Sequence, residues 1–224
     1  MKLKSFGCSF IWGSELPDVP IPGNIPSHVT WPALLSRELN MQYECHAWPG
    51  RGNFFTAKQV LDQLARNEPT LYVINWTWID RFDYVDVNDT WHGTTPWSTI
   101  MPADDTTMAK VYYRDLHSEY RDKFTALMAI RLVIDTLKQR GIPFIMTYMD
   151  DLIFDQRWHT TPAVMDLQKY VKPHMTAFAT QTFLEWSRAN NYAISTTFHP
   201  LEAAHRAAAD YVIKVFRRQN TIDR

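Results

Sequence analysis

Lys4-Ser5-Phe6-Gly7-Cys8-Ser9-Phe10-Ile11-Trp12-Gly13-Ser14-Glu15-Leu16 is the stretch that decides how this chain is read. Leu3 to Phe6 forms a short strand, and Gly7 breaks it into a turn of small residues. A strand that ends in Gly-Cys-Ser sets Ser9 on the carboxyl edge of a sheet, where open α/β sheets bind ligands. A serine there can act as a nucleophile if a histidine reaches it. Otherwise it is an ordinary turn serine. The far end of the chain supplies a histidine in Phe198-His199-Pro200-Leu201-Glu202-Ala203-Ala204-His205. An apolar helix follows, expected from about Pro200 to Arg218, with Pro200 at a favoured first-turn position.

Between these ends, strands and helices alternate. Further strands are expected at Met41–Ala47, Thr70–Trp76 and Ile142–Tyr148, and a short fifth at Tyr192–Thr196. Thr30 is placed to cap a helix through Trp31, Leu34, Leu35 and Leu39, and Asn53 to cap one through Val60, Leu61 and Leu64. A long helical stripe covers Tyr112–Arg140 and stops at Gly141. Pro162–Asn190 reads as helix broken before Pro173. Such alternation predicts a mostly parallel sheet covered on both faces, a three-layer αβα sandwich of one domain over residues 1–224. Residues 85–110 show no period. Their aromatic content, including Trp91 and Trp97, marks them as an ordered insertion that covers the domain edge or contacts substrate.

The 224 residues suffice for one α/β core, and a formal charge of −1 carries no basic signal for nucleic acid. No apolar run reaches the ~20 residues that cross a bilayer, so no membrane partner is expected. The start, Met1-Lys2-Leu3-Lys4-Ser5, lacks a signal-peptide hydrophobic region. Two cysteines, Cys8 and Cys45, make neither a disulfide framework nor a metal pair. A reducing, cytoplasmic setting is expected, or a virion if the source is viral. The nine tryptophans are mostly core and interface material.

Gly7, Ser9 and Gly13 resemble the first block of the SGNH, or GDSL-like, hydrolases, with Cys8 where that family usually has aspartate. His199-Pro200 resembles the last block, Asp-x-x-His-Pro, with His205 at a second histidine, but Thr196 occupies the aspartate's place. Gly50-Arg51-Gly52-Asn53 resembles the second block. The third, Gly-x-Asn-Asp, matches poorly after Thr70–Trp76, since Trp76 stands at the asparagine.

The resemblance implies a flavodoxin-like SGNH fold with a five-stranded, mostly parallel sheet. It also implies a serine esterase that needs no cofactor or metal and acts on a small-molecule or glycan ester, for example an O-acetylated sugar. Ser9 would attack and His199 would serve as base. Backbone N–H groups of Ser9 and Gly50, with Asn75 or Thr77, would hold the oxyanion. Trp76, Arg81, Trp91 and Trp97 would meet substrate, and an Arg81–Asp83 ion pair would shape the pocket. With Thr196 in place of the acid, three options stand: a dyad steadied by a backbone carbonyl, another acid, or weak or lost activity. Glu202 lies past the turn and is not favoured. Two other readings are weighed. One is a non-catalytic SGNH-like domain, binding carbohydrate or serving as a virion (phage) component. The other is a metal-dependent nucleotidyl transferase built on Asp150 and Asp151. Those aspartates fit better as residues capping the turn that follows their strand.

Overall fold

The computed structural model describes residues 1–19, 25–85 and 97–222. In chain order the elements are β1 (Lys2–Phe6), α1 (Ser9–Trp12), α2 (Trp31–Glu38), β2 (Gln42–Cys45), α3 (Asn53–Leu64), β3 (Thr70–Trp76), β4 (Phe82–Val85) and β5 (Trp97–Ile100). There follow α4 (Thr107–Val111), α5 (Glu119–Gln139), β6 (Phe144–Tyr148), α6 (Pro162–Val171), α7 (Phe183–Ala189) and α8 (Glu202–Ile222).

The main sheet is wholly parallel in the order β2-β1-β3-β6. Strand β3, Thr-Leu-Tyr-Val-Ile-Asn-Trp, is buried along its whole length, as a central parallel strand must be when helices cover both faces. Its alternate side chains feed two cores. Leu71 and Val73, with Leu3 and Ile145, pack against Trp31 and Leu35 of α2 and Ala208 and Val212 of α8. Tyr72, Ile74 and Trp76, with Phe6 and Met146, pack against Val60 of α3 and Leu127, Ile130 and Ile134 of α5. The sheet is therefore sandwiched between helical layers, as expected.

Several expectations are corrected. The described sheet has four strands, because the segment after α7 makes only an isolated antiparallel bridge, Ile194 to Pro200. The insertion contributes an antiparallel pair, β4 with β5, apart from the main sheet. The long helix begins later than its stripe: a π-turn at Tyr112–Leu116 ends at His117, and the Ser118 hydroxyl accepts the Arg121 N–H to start α5 afresh. Asn53 is the first residue of α3 and Gly52 its cap. The carboxylate of Asp83 accepts the N–H groups of Gly52 and Phe55 at 2.9 and 2.8 Å.

Candidate active site

Strand β1 delivers the turn that carries Ser9. Gly7 has a φ of 145°, and a Cβ there would lie 2.8 Å from the carbonyl oxygen of Asn75 on β3. Only glycine lets the chain leave the sheet so close to its neighbour. Cys8 caps the single-turn helix α1 and is fully buried, while Ser9 is 8% exposed. Gly13 closes the turn at a φ of 85°, against Ser27 and Thr30.

The segment before α8 delivers the histidine. Ser195 and His199 face each other across a tight turn: the Ser195 N–H donates to the His199 carbonyl at 2.9 Å, and the His199 N–H donates to the Ser195 hydroxyl at 3.0 Å. Phe198 pays for this geometry with a φ of 68°, in the left-handed region that a bulky residue rarely enters. The turn sets His199 Nε2 2.8 Å from Ser9 Oγ. Phe10 backs the imidazole, ring centre to ring centre at 5.0 Å.

The other imidazole nitrogen meets an acid that sequence reasoning missed. Glu15 Oε2 lies 2.6 Å from His199 Nδ1. The same oxygen accepts the Ser195 hydroxyl at 2.5 Å and the Thr197 hydroxyl. These two hydroxyls, and then His199, hold the Glu15 carboxyl down at about 2, so it is ionised near neutrality. An ionised carboxylate cannot donate. The proton of a neutral His199 therefore sits on Nδ1, and Nε2 is free to accept from Ser9. Glu15 itself has a φ of 66°, a second strained residue, in a site where such conformations gather. Thr196 is exposed in the turn, and Glu202 pairs instead with Arg206 at 3.1 Å. No motif marks Glu15, because it nears His199 only in three dimensions.

The second expected histidine has a structural place. His205 is buried, and its Nδ1 accepts the backbone N–H of Trp31 at 3.1 Å, tying α8 to the start of α2.

The remaining expected residues divide. Asn75 is buried beside Gly7. Its Oδ1 accepts the Thr147 hydroxyl at 2.7 Å, and its Nδ2 has no partner among the described residues. The Thr77 N–H is already given to Asn53 Oδ1 at 2.8 Å, which removes it as a donor, although its hydroxyl is unpartnered. Gly50 lies in the turn before α3. Trp76 is fully buried between the sheet and α5, so it meets core and not substrate. Trp78, two residues on, is half-buried and lies edge-on to Phe10 at 5.5 Å. Trp97 packs on Phe55 of α3 at 6.4 Å, and Trp91 falls outside the described residues. The Arg81–Asp83 pair does not form. Asp83 serves α3 and Thr99, while Arg81 donates to the Arg51 carbonyl at 3.0 Å and lies over Trp78 at 4.8 Å. Asp150 accepts the N–H groups of Ile79 and Leu152, both at 3.0 Å, which is the capping role expected of it.

Comparison with solved structures follows this geometry. The psychrotrophic esterase EstA of Pseudoalteromonas sp., solved with monoethylphosphonate as inhibitor, aligns over 99% of this chain and 100% of its own, with a TM-score of 0.55 at 9% identity. A lipolytic protein of the G-D-S-L family from Veillonella parvula aligns over 97% of this chain and 99% of its own, with a TM-score of 0.52 at 14% identity. This chain has the SGNH-hydrolase fold. A third structure, the acetyl xylan esterase Est2A of the rumen bacterium Butyrivibrio proteoclasticus, aligns over 98% of this chain but 64% of its own, with a TM-score of 0.54 at 13% identity. No family model and no curated protein sequence matches the chain. Among the described residues, no helix is long and apolar enough to cross a membrane.

Proposed function

We propose that this chain is a serine ester hydrolase whose catalytic triad is Ser9, His199 and Glu15. The reading rests on one observation: a continuous hydrogen-bonded line from Glu15 through His199 to Ser9, with steps of 2.6 and 2.8 Å. Those are the separations a general base and its orienting acid need. They make a purely binding role the poorer account of the site.

In the proposed reaction, Ser9 Oγ attacks the acyl carbon while its proton passes to His199 Nε2. Glu15 keeps the imidazole in the required tautomer and stabilises its positive charge. His199 then gives the proton to the departing alcohol oxygen, leaving the acyl group on Ser9. Water attacks this ester, His199 takes the water's proton, and the proton returns to Ser9 Oγ as the carboxylic acid leaves. The oxyanion would be met by the N–H groups of Ser9 and Gly50 and by Asn75 Nδ2, the buried donor without a partner. One such donor contributes ~3 kcal/mol to the transition state in a well-measured case. The substrate class is a small or glycan ester. O-acetylated sugars are favoured because the structurally similar proteins include an acetyl xylan esterase.

The test is hydrolysis of a chromogenic acetate with and without chelator, together with labelling by an ethyl phosphonate. Turnover that resists chelator, with a single phosphonate adduct on Ser9, is expected. An adduct elsewhere, or none on a well-folded protein, would overturn the assignment.

A further inference from the structure

A cavity of about 530 Å³ borders the turn that precedes His199, walled in part by Trp78, Arg81, Leu184, Arg188, Thr197 and Phe198. It adjoins the triad through two contacts. Thr197 donates to Glu15, and Phe10 touches both the His199 ring and the Trp78 ring, at 5.0 and 5.5 Å.

Two features of this cavity are left open to a ligand, beyond the one N–H that Arg81 gives to the Arg51 carbonyl. The first is its pair of guanidinium groups. Arg81 lies over the Trp78 ring at 4.8 Å and Arg188 over the Phe198 ring at 5.5 Å, yet neither forms an ion pair among the described residues. An arginine stacked on an aromatic face is pre-oriented and weakly hydrated, with its donor fork left over for a carboxylate or sulfate. The second is Phe198. It is 60% exposed although its backbone is held in the left-handed region directly before His199. An exposed aromatic ring at the mouth of a site offers a face for a sugar ring. Asp80 also lines the cavity; burial and then Asp150 raise its pKa, and the nearby Arg81 charge opposes them.

We infer that this cavity is the subsite for the non-reacting part of the ester, and that it takes a sugar-like ring bearing a carboxylate or sulfate. The inference rests on the ester-hydrolase reading and specifies its substrate class as an anionic glycan ester. The ring would lie against Trp78 and Phe198, and its anionic group would meet Arg188 and Arg81.

Two measurements test it separately from the hydrolase reading. In the first, Ser9→Ala is titrated with methyl glucuronoside, its neutral counterpart methyl glucoside, and the 6-sulfate of the latter. In the second, the wild type, Arg188→Gln and Arg81→Gln hydrolyse acetylated forms of the same sugars. Binding of at least one anionic sugar over the neutral one is expected, weakened by added salt. The ratio of kcat/KM for anionic over neutral ester should fall about tenfold in each arginine variant, the size of one modest charge-assisted contact. Arg188 is exposed, so its replacement should leave a folded protein. Esters hydrolysed without regard to charge, with a ratio that neither substitution moves, would overturn the subsite and leave the hydrolase standing. Arginine-dependent anion binding with no turnover on any ester would do the reverse.

Discussion

Glu15 Oε2 and His199 Nδ1 are 2.6 Å apart, although nearly the whole chain lies between them. The acid behind the histidine therefore comes from the loop that carries Ser9 and not from the turn that carries His199. Ser9 and Glu15 ride on one excursion of the backbone, from Gly7 to Glu15, and His199 docks between them. The arrangement meets the chemical need for an acid at Nδ1 while leaving Thr196 free to face solvent.

Replacing Glu15 by glutamine should remove most of the activity and little of the fold. An amide can offer its nitrogen to Nδ1, which favours the tautomer protonated on Nε2, unable to take the Ser9 proton. In a well-studied protease the equivalent change costs about 10⁴ in kcat. Glu15 is partly open to water, so a loss of roughly 10²–10⁴ is expected here. A kcat within twofold of wild type in a variant with unchanged thermal midpoint would return the protein to the simple-dyad account.

The two hydroxyls behind Glu15 keep it ionised far into the acid range. Ser195 and Thr197 are the largest causes of its depressed pKa, about 2 against an ordinary 4.5. A carboxylate lowered in this way keeps its charge until the pH falls through the lowered value, so wild-type Glu15 supports His199 throughout the mildly acidic range. In the double variant Ser195→Ala/Thr197→Val the pKa should climb back toward the ordinary value. The Glu15 carboxyl should then titrate at higher pH than in wild type. Carbon-13 NMR of the labelled Glu15 carboxyl checks this, and superimposable titrations in the two proteins would exclude it.

The layers and the order of the elements were legible because each rests on a local signal. The buried run of β3 reads as a parallel strand, and the Gly7 break reads as a sheet-edge turn. The helical stripes were equally plain, yet the start of α5 was not, because one hydroxyl, that of Ser118, cuts the helix while leaving the stripe intact. Ser9 and His199 could be named from motif blocks. Glu15 could not, since its role depends on where two distant loops meet, and acids in loops carry no period. Trp76 and Trp78 show the same limit. They stand two apart, and whether a tryptophan faces core or cavity depends on where β3 ends.

Cys8 beside Ser9 raises the question of which atom attacks. Adjacent side chains in the turn diverge: Cys8 is fully buried among apolar neighbours, while Ser9 Oγ reaches His199. Ser9→Ala should abolish hydrolysis. Cys8→Ala should keep most of it, at a stability loss of about 1 kcal/mol for a small apolar group taken from the core. Iodoacetamide should leave the hydrolysis by the native protein unchanged. Activity that survives in Ser9→Ala and vanishes in Cys8→Ala would reverse the roles.

His205 ties α8 to the start of α2, and this makes stability depend on pH. Burial, and secondarily the nearby His199, push its pKa down to about 3. The folded protein therefore keeps it neutral, with Nδ1 accepting the Trp31 N–H, while the unfolded chain binds a proton near pH 6.5. Between those values the unfolded state holds more protons, so stability falls as the pH drops, by at most ~1.4 kcal/mol per unit from this group. His205→Phe removes the titration but strands a buried N–H, which should cost ~1–3 kcal/mol near pH 8. The gap between wild type and variant should therefore narrow as the pH is lowered to about 5, because only the wild type carries this proton linkage. Urea unfolding at the two pH values measures both gaps. A gap that stays constant, with parallel losses in both proteins, would mean that other groups drive the acid sensitivity and that His205 acts by its hydrogen bond alone.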